Sequence, residues 1–413
     1  MYRAPPAGPF ATVVSTIRQW SRRKSSSIRS VAGERRVRVA VDAMGGDHGP
    51  AEVVPGVVAY AMAHAETDVT LVGDEVQVRE LLGAAPPATI GVVHADSVVD
   101  MDEQPAAAVR RKRDASINVA MRLVRDGHAD AIVTAGHTGA AVASAILLLH
   151  RLPGVDRPAL AVQMTTAKGP FVLLDIGATT DSTGLNLAQY ARMGALYAER
   201  VLGVVRPTVA LLSIGEEGGK GEQRVQEATE RLRGTDMAFI GNVEGRHLVE
   251  HVADVVVCDA AVGNVTIKFF EGLSSFILRG LLKTEFERDW RGRLAYLLLR
   301  PGIGRIREIF DYEKLGGSPL LGVRGTVLIT HGRARRRMIE YAVAVGAAAA
   351  RADIPQAIED AFRAEQAERA PDRGHEAGEG SSATPTADAA RDAGAEPAID
   401  DRVAAARPSE ARS

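Results

Sequence analysis

Short apolar runs rich in β-branched residues recur along the chain, and most end in a glycine-bearing loop that opens a helical pattern. Runs this short, without polar alternation, suit strands buried on both faces of a parallel sheet. They fall at 37–41, 69–72, 130–135, 160–164, 171–174, 209–213, 255–258 and 326–330, with helical patterns such as 140–149 and 186–202 between them. The alternation predicts an α/β fold, a doubly wound and mostly parallel sheet with helices on both faces. Such sheets bind ligands beyond the carboxyl ends of their strands, so the loops there are the places to look for chemistry.

The first of these loops is the most informative. The run from 37 leads into Asp42, Gly45, Gly46, Asp47, His48 and Gly49, and Pro50 then suits a first helical turn, where its missing N–H costs nothing. A glycine loop opening a helix gathers free backbone N–H groups at one point, which is how α/β proteins hold phosphate and other anions. Gly136-His137-Thr138-Gly139 repeats the arrangement with a hydroxyl and an imidazole beside the amides. The alternative for that loop is a tight turn with an exposed histidine. Asp175, Gly177 and the nearby Asp181 either position a water or a basic group, or cap the next helix. Gly215-Glu216-Glu217 followed by Gly219-Lys220-Gly221 superficially resembles a Walker A loop. It is one residue short, and Gly221 stands where Ser or Thr should meet magnesium, so nucleotide hydrolysis is not expected. His331, at a strand end, is either an acid or anion donor or a packed histidine.

Composition narrows the classes. A chain of 413 residues with 46% hydrophobic content can build a sizeable core, and a net charge of −2 gives no global attraction to nucleic acid or anionic membrane. Cys258 is the single cysteine, so an intrachain disulfide is impossible; no metal and no cofactor are expected. That fits a reducing, cytoplasmic location. No apolar run approaches the ~20 residues of a spanning helix.

Three segments stand apart. Residues 1–36 are Arg- and Ser-rich with one acid, and are expected as a disordered basic extension or an organellar address. Residues 363–413 lack aromatic residues and are expected as a disordered low-complexity tail, leaving 37–352 as the folded domain. Within it, Leu282, Phe286, Trp290, Leu294 and Leu298 recur every four residues, flanked by Arg288, Arg291, Arg293 and Arg300, with Pro301 and Gly302 expected to break the helix. This helical hairpin, about 282–310, is suited to a homodimer contact, an anionic membrane surface or an acidic partner protein, which the resemblance below implies is a carrier protein.

Asp-Ala-Met-Gly-Gly-Asp-His-Gly-Pro at 42–50 closely resembles the opening signature of the phosphate acyltransferases of bacterial phospholipid synthesis. Gly136–Gly139, Asp175–Ala178, Gly215–Glu217 with Lys220-Gly221, Cys258–Lys268 and the run from Gly316 to Gly332 resemble the family's later motifs in order. The resemblance spans 37 to about 350 and implies a phosphotransacetylase/isopropylmalate-dehydrogenase-like fold. It implies transfer of a fatty acyl group from acyl carrier protein to inorganic phosphate, with the acyl phosphate passing to a glycerol-3-phosphate acyltransferase. Peripheral membrane association and a homodimer are implied partners of the hairpin. Asp42, His48, Asn264 and Lys268 are the expected catalytic residues. Gly45, Gly46, Asp47, Gly136, His137, Thr138, Gly139, Asp175, Gly177, Gly215, Glu216, Lys220, Asp259, Gly263 and His331 are the expected binding set; Lys220 meets phosphate or the pantetheine arm, or is solvated. The family carries Asn where this chain has His137 and Thr179. Phosphate is itself the nucleophile and a thiol of pKa about 8.5 leaves readily, so no covalent acyl-enzyme is expected and Cys258 reads as a small packed hydrophobe. The competing readings are a phosphotransacetylase-like enzyme using coenzyme A and a non-catalytic scaffold.

Overall fold

In β1 (Val37–Asp42) alternate residues serve opposite faces: Val39 and Val41 pack on one side, Ala40 on the other, and all are buried. A strand with no wet face belongs in the interior of a sheet, and β1 lies between two parallel neighbours. In the computed structural model, which describes residues 36–217 and 219–369, the other strands are β2 (Thr67–Gly73), β3 (Ile90–His94), β4 (Ala131–Thr134), β5 (Ala159–Thr166) and β6 (Gly169–Leu174). They continue with β7 (Thr208–Leu212), β8 (Ala238–Val243), β9 (Val255–Val257), β10 (Ser318–Leu321) and β11 (Thr326–Ile329). The described strands form one 11-stranded sheet in the order β3-β2-β1-β4-β11-β10-β5-β6-β9-β7-β8.

The pairing sense carries the main consequence for function. β3, β2, β1, β4 and β11 are mutually parallel, and so are β6, β9, β7 and β8. Between the blocks, β10 is antiparallel to β11 and β5, and β5 is antiparallel to β6. Three reversals invert the direction, so the carboxyl ends of the two blocks lie on opposite edges of the sheet. Helices cover both faces, as the alternation predicts. Pro50–Ala63 and Arg336–Arg351 pack on one face of the first block, Gly184–Tyr197 on the same kind of apolar layer of the second, and Thr138–Leu148 and Ala260–Ser275 on the opposite face.

The hairpin differs from its sequence reading in where it turns. The helix Ala260–Ser275 runs on through Phe276–Leu282 and Lys283–Glu287, and a new helix, Trp290–Phe310, returns. The turn is built by Asp289, whose carboxylate caps the returning helix by accepting from the Gly292 amide at 2.8 Å. Gly292 sits so tightly that a Cβ would lie 2.7 Å from the Glu285 carbonyl oxygen. Pro301, expected to end the helix, lies inside it; a capped turn with a close-packed glycine outweighs one missing N–H. Leu282 and Phe286 therefore belong to one arm and Trp290, Leu294 and Leu298 to the other, with Phe286 edge-on to Tyr296 at 5.6 Å between centroids.

A last helix, Ile354–Arg369, buries Ile358 and Phe362. Residues 363–369, expected as the start of the tail, belong to it. The rest of that segment and the extension at 1–35 lie outside the described residues. No described helix is long and apolar enough to cross a membrane.

Candidate functional site

The helix after β1 packs on one face of the sheet and the helix after β4 on the other. Where neighbouring parallel strands send their connections to opposite faces, a crevice opens beyond their carboxyl ends. Three loops meet there, at 43–49, 135–137 and 330–332. Their approach is so close that side chains are excluded. A Cβ on Gly45 would lie 2.6 Å from the Gly136 nitrogen, and one on Gly46, whose φ is +90°, 2.9 Å from the Gly332 oxygen. The Asp47 amide donates to the Gly332 carbonyl at 2.8 Å.

Asp42 forms the floor. It is 2% exposed and accepts from the Thr134 hydroxyl at 2.7 Å and the Met44 amide at 3.3 Å. Thr134 in turn accepts from the Gly136 amide at 3.0 Å. Burial pushes the Asp42 carboxyl above its usual range, with the Ser116 and Thr134 hydroxyls and the Met44 and Gly45 amides offsetting part of the effect. The Ser116 hydroxyl is buried beside Asp42. Asp42, Gly45, Ser116, Gly136, His137 and Ala140 line a small cavity here.

His137 caps the helix Thr138–Leu148, its Nδ1 accepting from the Gly139 amide at 3.0 Å. An asparagine Oδ1 stands the same number of bonds from the backbone, so the departure from the family pattern preserves the cap. His331 closes the third loop, its Nε2 3.4 Å from Glu271. Glu271 holds the imidazole above its ordinary pKa against the opposing effect of burial, and Asp47 adds to the rise. Asp47 and His48 are exposed at the rim, and no hydrogen bond engages the His48 side chain among the described residues.

The remaining expected residues gather at the opposite edge, at the ends of β6, β9 and β7. Asp175 is fully buried, accepting from the amides of Leu160, Gly177, Ala178 and Thr179 at 2.8–3.0 Å. Burial raises its pKa despite those donors. Gly263 packs against the same turn, where a Cβ would lie 1.9 Å from the Asp175 carbonyl oxygen, and the Asn264 amide stands over Gly177. Asp259 caps its helix through the Ala261 and Val262 amides. Thr179 donates to the Pro158 carbonyl at 3.0 Å, which gives that departure a structural role. The Cys258 thiol is buried, donates to the Asp175 carbonyl at 3.4 Å, and is pushed well above its usual pKa by burial. Gly215, Glu216 and Lys220 lie in an outer loop, where Lys220 pairs with Glu217 at 2.8 Å and Glu216 with His247 at 3.2 Å.

The expected set is thus two groups rather than one. The helix Ala260–Ser275 spans between them: Asn264 stands at the second group, Lys268 is exposed one turn on, and Glu271 reaches His331 in the first. Arg288, Arg291, Arg293 and Arg300 are exposed on the hairpin, among exposed Trp290, Leu294, Leu297 and Leu298. Thr134 is a functional residue that the sequence analysis passes over, although a buried polar residue ending an apolar strand was the available signal; the helix Ser116–Arg125 is capped at Ala115.

Residues 37–357 match the family described as "Fatty acid synthesis protein". The phosphate acyltransferase of Nitratidesulfovibrio vulgaris (strain DP4) is 47% identical over 312 residues, 75% of this chain and 90% of that protein. Those of Moorella thermoacetica and Myxococcus xanthus are 43% and 46% identical, over 97% and 90% of their lengths and 78% and 77% of this chain. A phosphotransacetylase from Streptococcus pyogenes shares the fold, with a TM-score of 0.54 at 18% identity over 83% of this chain and 98% of that one. With a family match across the folded unit and relatives this similar over most of their length, the chain belongs to the phosphate acyltransferase family, the acyltransferases of the fatty acid synthesis protein group.

Proposed function

We propose that the chain transfers a fatty acyl group from an acyl carrier protein thioester to inorganic phosphate, with phosphate held in the crevice between β1 and β4. The observation that carries the reading is the close approach of Gly45 to Gly136 and of Gly46 to Gly332 at that crevice, where a Cβ on Gly45 or Gly46 would meet the facing backbone at 2.6 and 2.9 Å. Bound phosphate attacks the thioester carbon, the C–S bond breaks, and the carrier thiol leaves with a proton. Holding the two reactants together is worth about 7–11 kcal/mol, and a single donor to the developing oxyanion about 3–4. The start of the helix Thr138–Leu148 suits both tasks, since the amides of Met44, Asp47, Gly136 and Gly139 already donate within the loops.

His331 stands at the rim with Glu271 favouring its protonated form, and Lys268, one turn before Glu271, supplies counter-charge. Asp175, Asp259 and Gly263 shape the second edge, their polar groups already engaged. Cys258 takes no part in the chemistry. The basic, apolar hairpin suits an acidic carrier protein or an anionic membrane surface, and the acyl phosphate would pass from there to a glycerol-3-phosphate acyltransferase. The exposed stripe Val262, Val265, Phe269 and Phe276 suits a second copy of the chain.

Release of free thiol by purified protein, with and without phosphate, from acyl carrier protein and from coenzyme A thioesters, tests this reading. Phosphate-dependent release from the carrier is expected. Release from coenzyme A alone favours the phosphotransacetylase-like alternative, and no turnover favours a scaffold. Lys268→Ala should raise the KM for phosphate; an unchanged KM removes Lys268 from the site.

A further inference from the structure

The helix Pro105–Arg111 ends at Lys112, whose backbone is tied to the neighbouring helices by the buried Asn118. The Asn118 amide donates to the Val109 and Lys112 carbonyls at 2.9 Å each, and its oxygen accepts from the Ser144 hydroxyl at 2.7 Å. From this anchor the Lys112 ammonium reaches back to the loop at 98–104. It donates to the Val98 carbonyl at 2.6 Å, to Asp100 at 3.1 Å and to Glu103 at 2.6 Å, which uses all three of its protons. Glu103 also accepts from the Asp100 amide at 3.0 Å and pairs with Arg111. Polar bonds therefore hold the loop in one shape. The loop borders the crevice. Val98 and Val99 lie beside Asp42 and Gly136, and Pro105 stands where a Cβ on Gly139 would lie 2.9 Å from its ring. At the tip, Met101 is 54% exposed, and its methyl carbon lies 3.5 Å from the position a Cβ on Gly332 would take. A single exposed apolar side chain is ordinary on a protein surface. This one is fixed at the rim of the crevice by a lysine with no proton to spare.

Given the acyl-transfer reading of this crevice, on which the inference rests, we propose that Met101 is a specificity-determining residue that meets the acyl chain of the incoming thioester, and that Lys112 is the positioning residue that holds it there. An unbranched thioether side chain adapts its rotamers to an alkyl chain lying along it. Covering the exposed half of Met101 favours a long acyl chain over a short one. The contact is the same before and during the chemical step, so its worth falls on KM and leaves kcat alone.

Phosphate-dependent thiol release by the full chain from hexadecanoyl and butanoyl thioesters of acyl carrier protein tests the pair, with calorimetry of the same thioesters in the absence of phosphate reading binding alone. The wild type is expected to favour the hexadecanoyl carrier. Met101→Ala should raise its KM about fivefold, the worth of about half a buried methionine. The kcat, the KM for the butanoyl carrier and the KM for phosphate should stay within about twofold of wild type. Met101→Leu should keep the preference. Lys112→Gln should reproduce the rise, and combining it with Met101→Ala should add nothing, because Lys112 acts through that side chain. If Lys112→Gln fails to fold, the Met101 series decides. A KM for the hexadecanoyl carrier unmoved by Met101→Ala, an equal rise for both carriers, or additive effects of the two substitutions overturns the inference. Turnover indifferent to Met101 sinks this inference alone; Met101-dependent binding of the hexadecanoyl carrier without turnover sinks only the acyl-transfer reading.

Discussion

Glu271 meets His331 at 3.4 Å, and through this pair the helix that carries the hairpin touches the loop cluster at the ends of β1, β4 and β11. A long arm suited to an incoming carrier or surface is thereby fixed to the crevice where an anion would sit. The pair also makes part of the chain's stability depend on pH.

His331 has a folded pKa raised above its ordinary value, with Glu271 the largest cause. A group raised in the folded state stabilises fully below its unfolded pKa and loses that contribution as pH climbs through the folded one. The wild type should therefore lose more stability than Glu271→Gln between about pH 6 and about pH 8. The pair is partly exposed, so the difference should stay below about 1 kcal/mol. Denaturant unfolding at several pH values checks it; parallel curves for the two proteins would refute it.

Gly45→Ala drives a methyl group to 2.6 Å from the Gly136 nitrogen and 2.8 Å from an Asp42 oxygen. Overpacking of this kind costs about 1–3 kcal/mol. The displaced loop should lower phosphate-dependent turnover by about a hundredfold. Thermal unfolding and thiol release, read on the same sample, separate the two effects.

His137→Asn should leave both stability and activity near wild type, since either side chain accepts from the Gly139 amide. His137→Ala removes the cap and should cost about 1 kcal/mol. A large activity loss in His137→Asn would instead assign the imidazole a role in chemistry.

Cys258→Ala should retain activity within a few-fold and cost about 1 kcal/mol, because the buried thiol behaves as packing. Mass spectrometry of the wild type during turnover should find no acyl group on Cys258. An acylated Cys258 would replace direct attack with a two-step transfer.

The strands and their glycine loops were legible because β-branched runs and φ-permissive turns are local properties. Gly45, Gly136 and His331 could each be placed at a strand end from sequence alone. The sense of the strands could not. β10 is a four-residue piece hidden in a run of Gly, Ser and Pro; its antiparallel pairings with β11 and β5 leave β5 running with the first block, and the β5–β6 hairpin then turns the second block over. Those three pairings together divide the expected site into two groups. The hairpin turn was misplaced for a related reason: Pro301 is a conspicuous local breaker, while Asp289 and Gly292 act through a cap and a close approach to the other arm.

A crystal structure of the protein with inorganic phosphate bound tests the central claim most directly. The account predicts phosphate at the carboxyl ends of β1 and β4, against the loops that carry Gly45, Gly136 and Gly332. Phosphate seated instead at Asp175 and Asn264, on the opposite edge of the sheet, would contradict it.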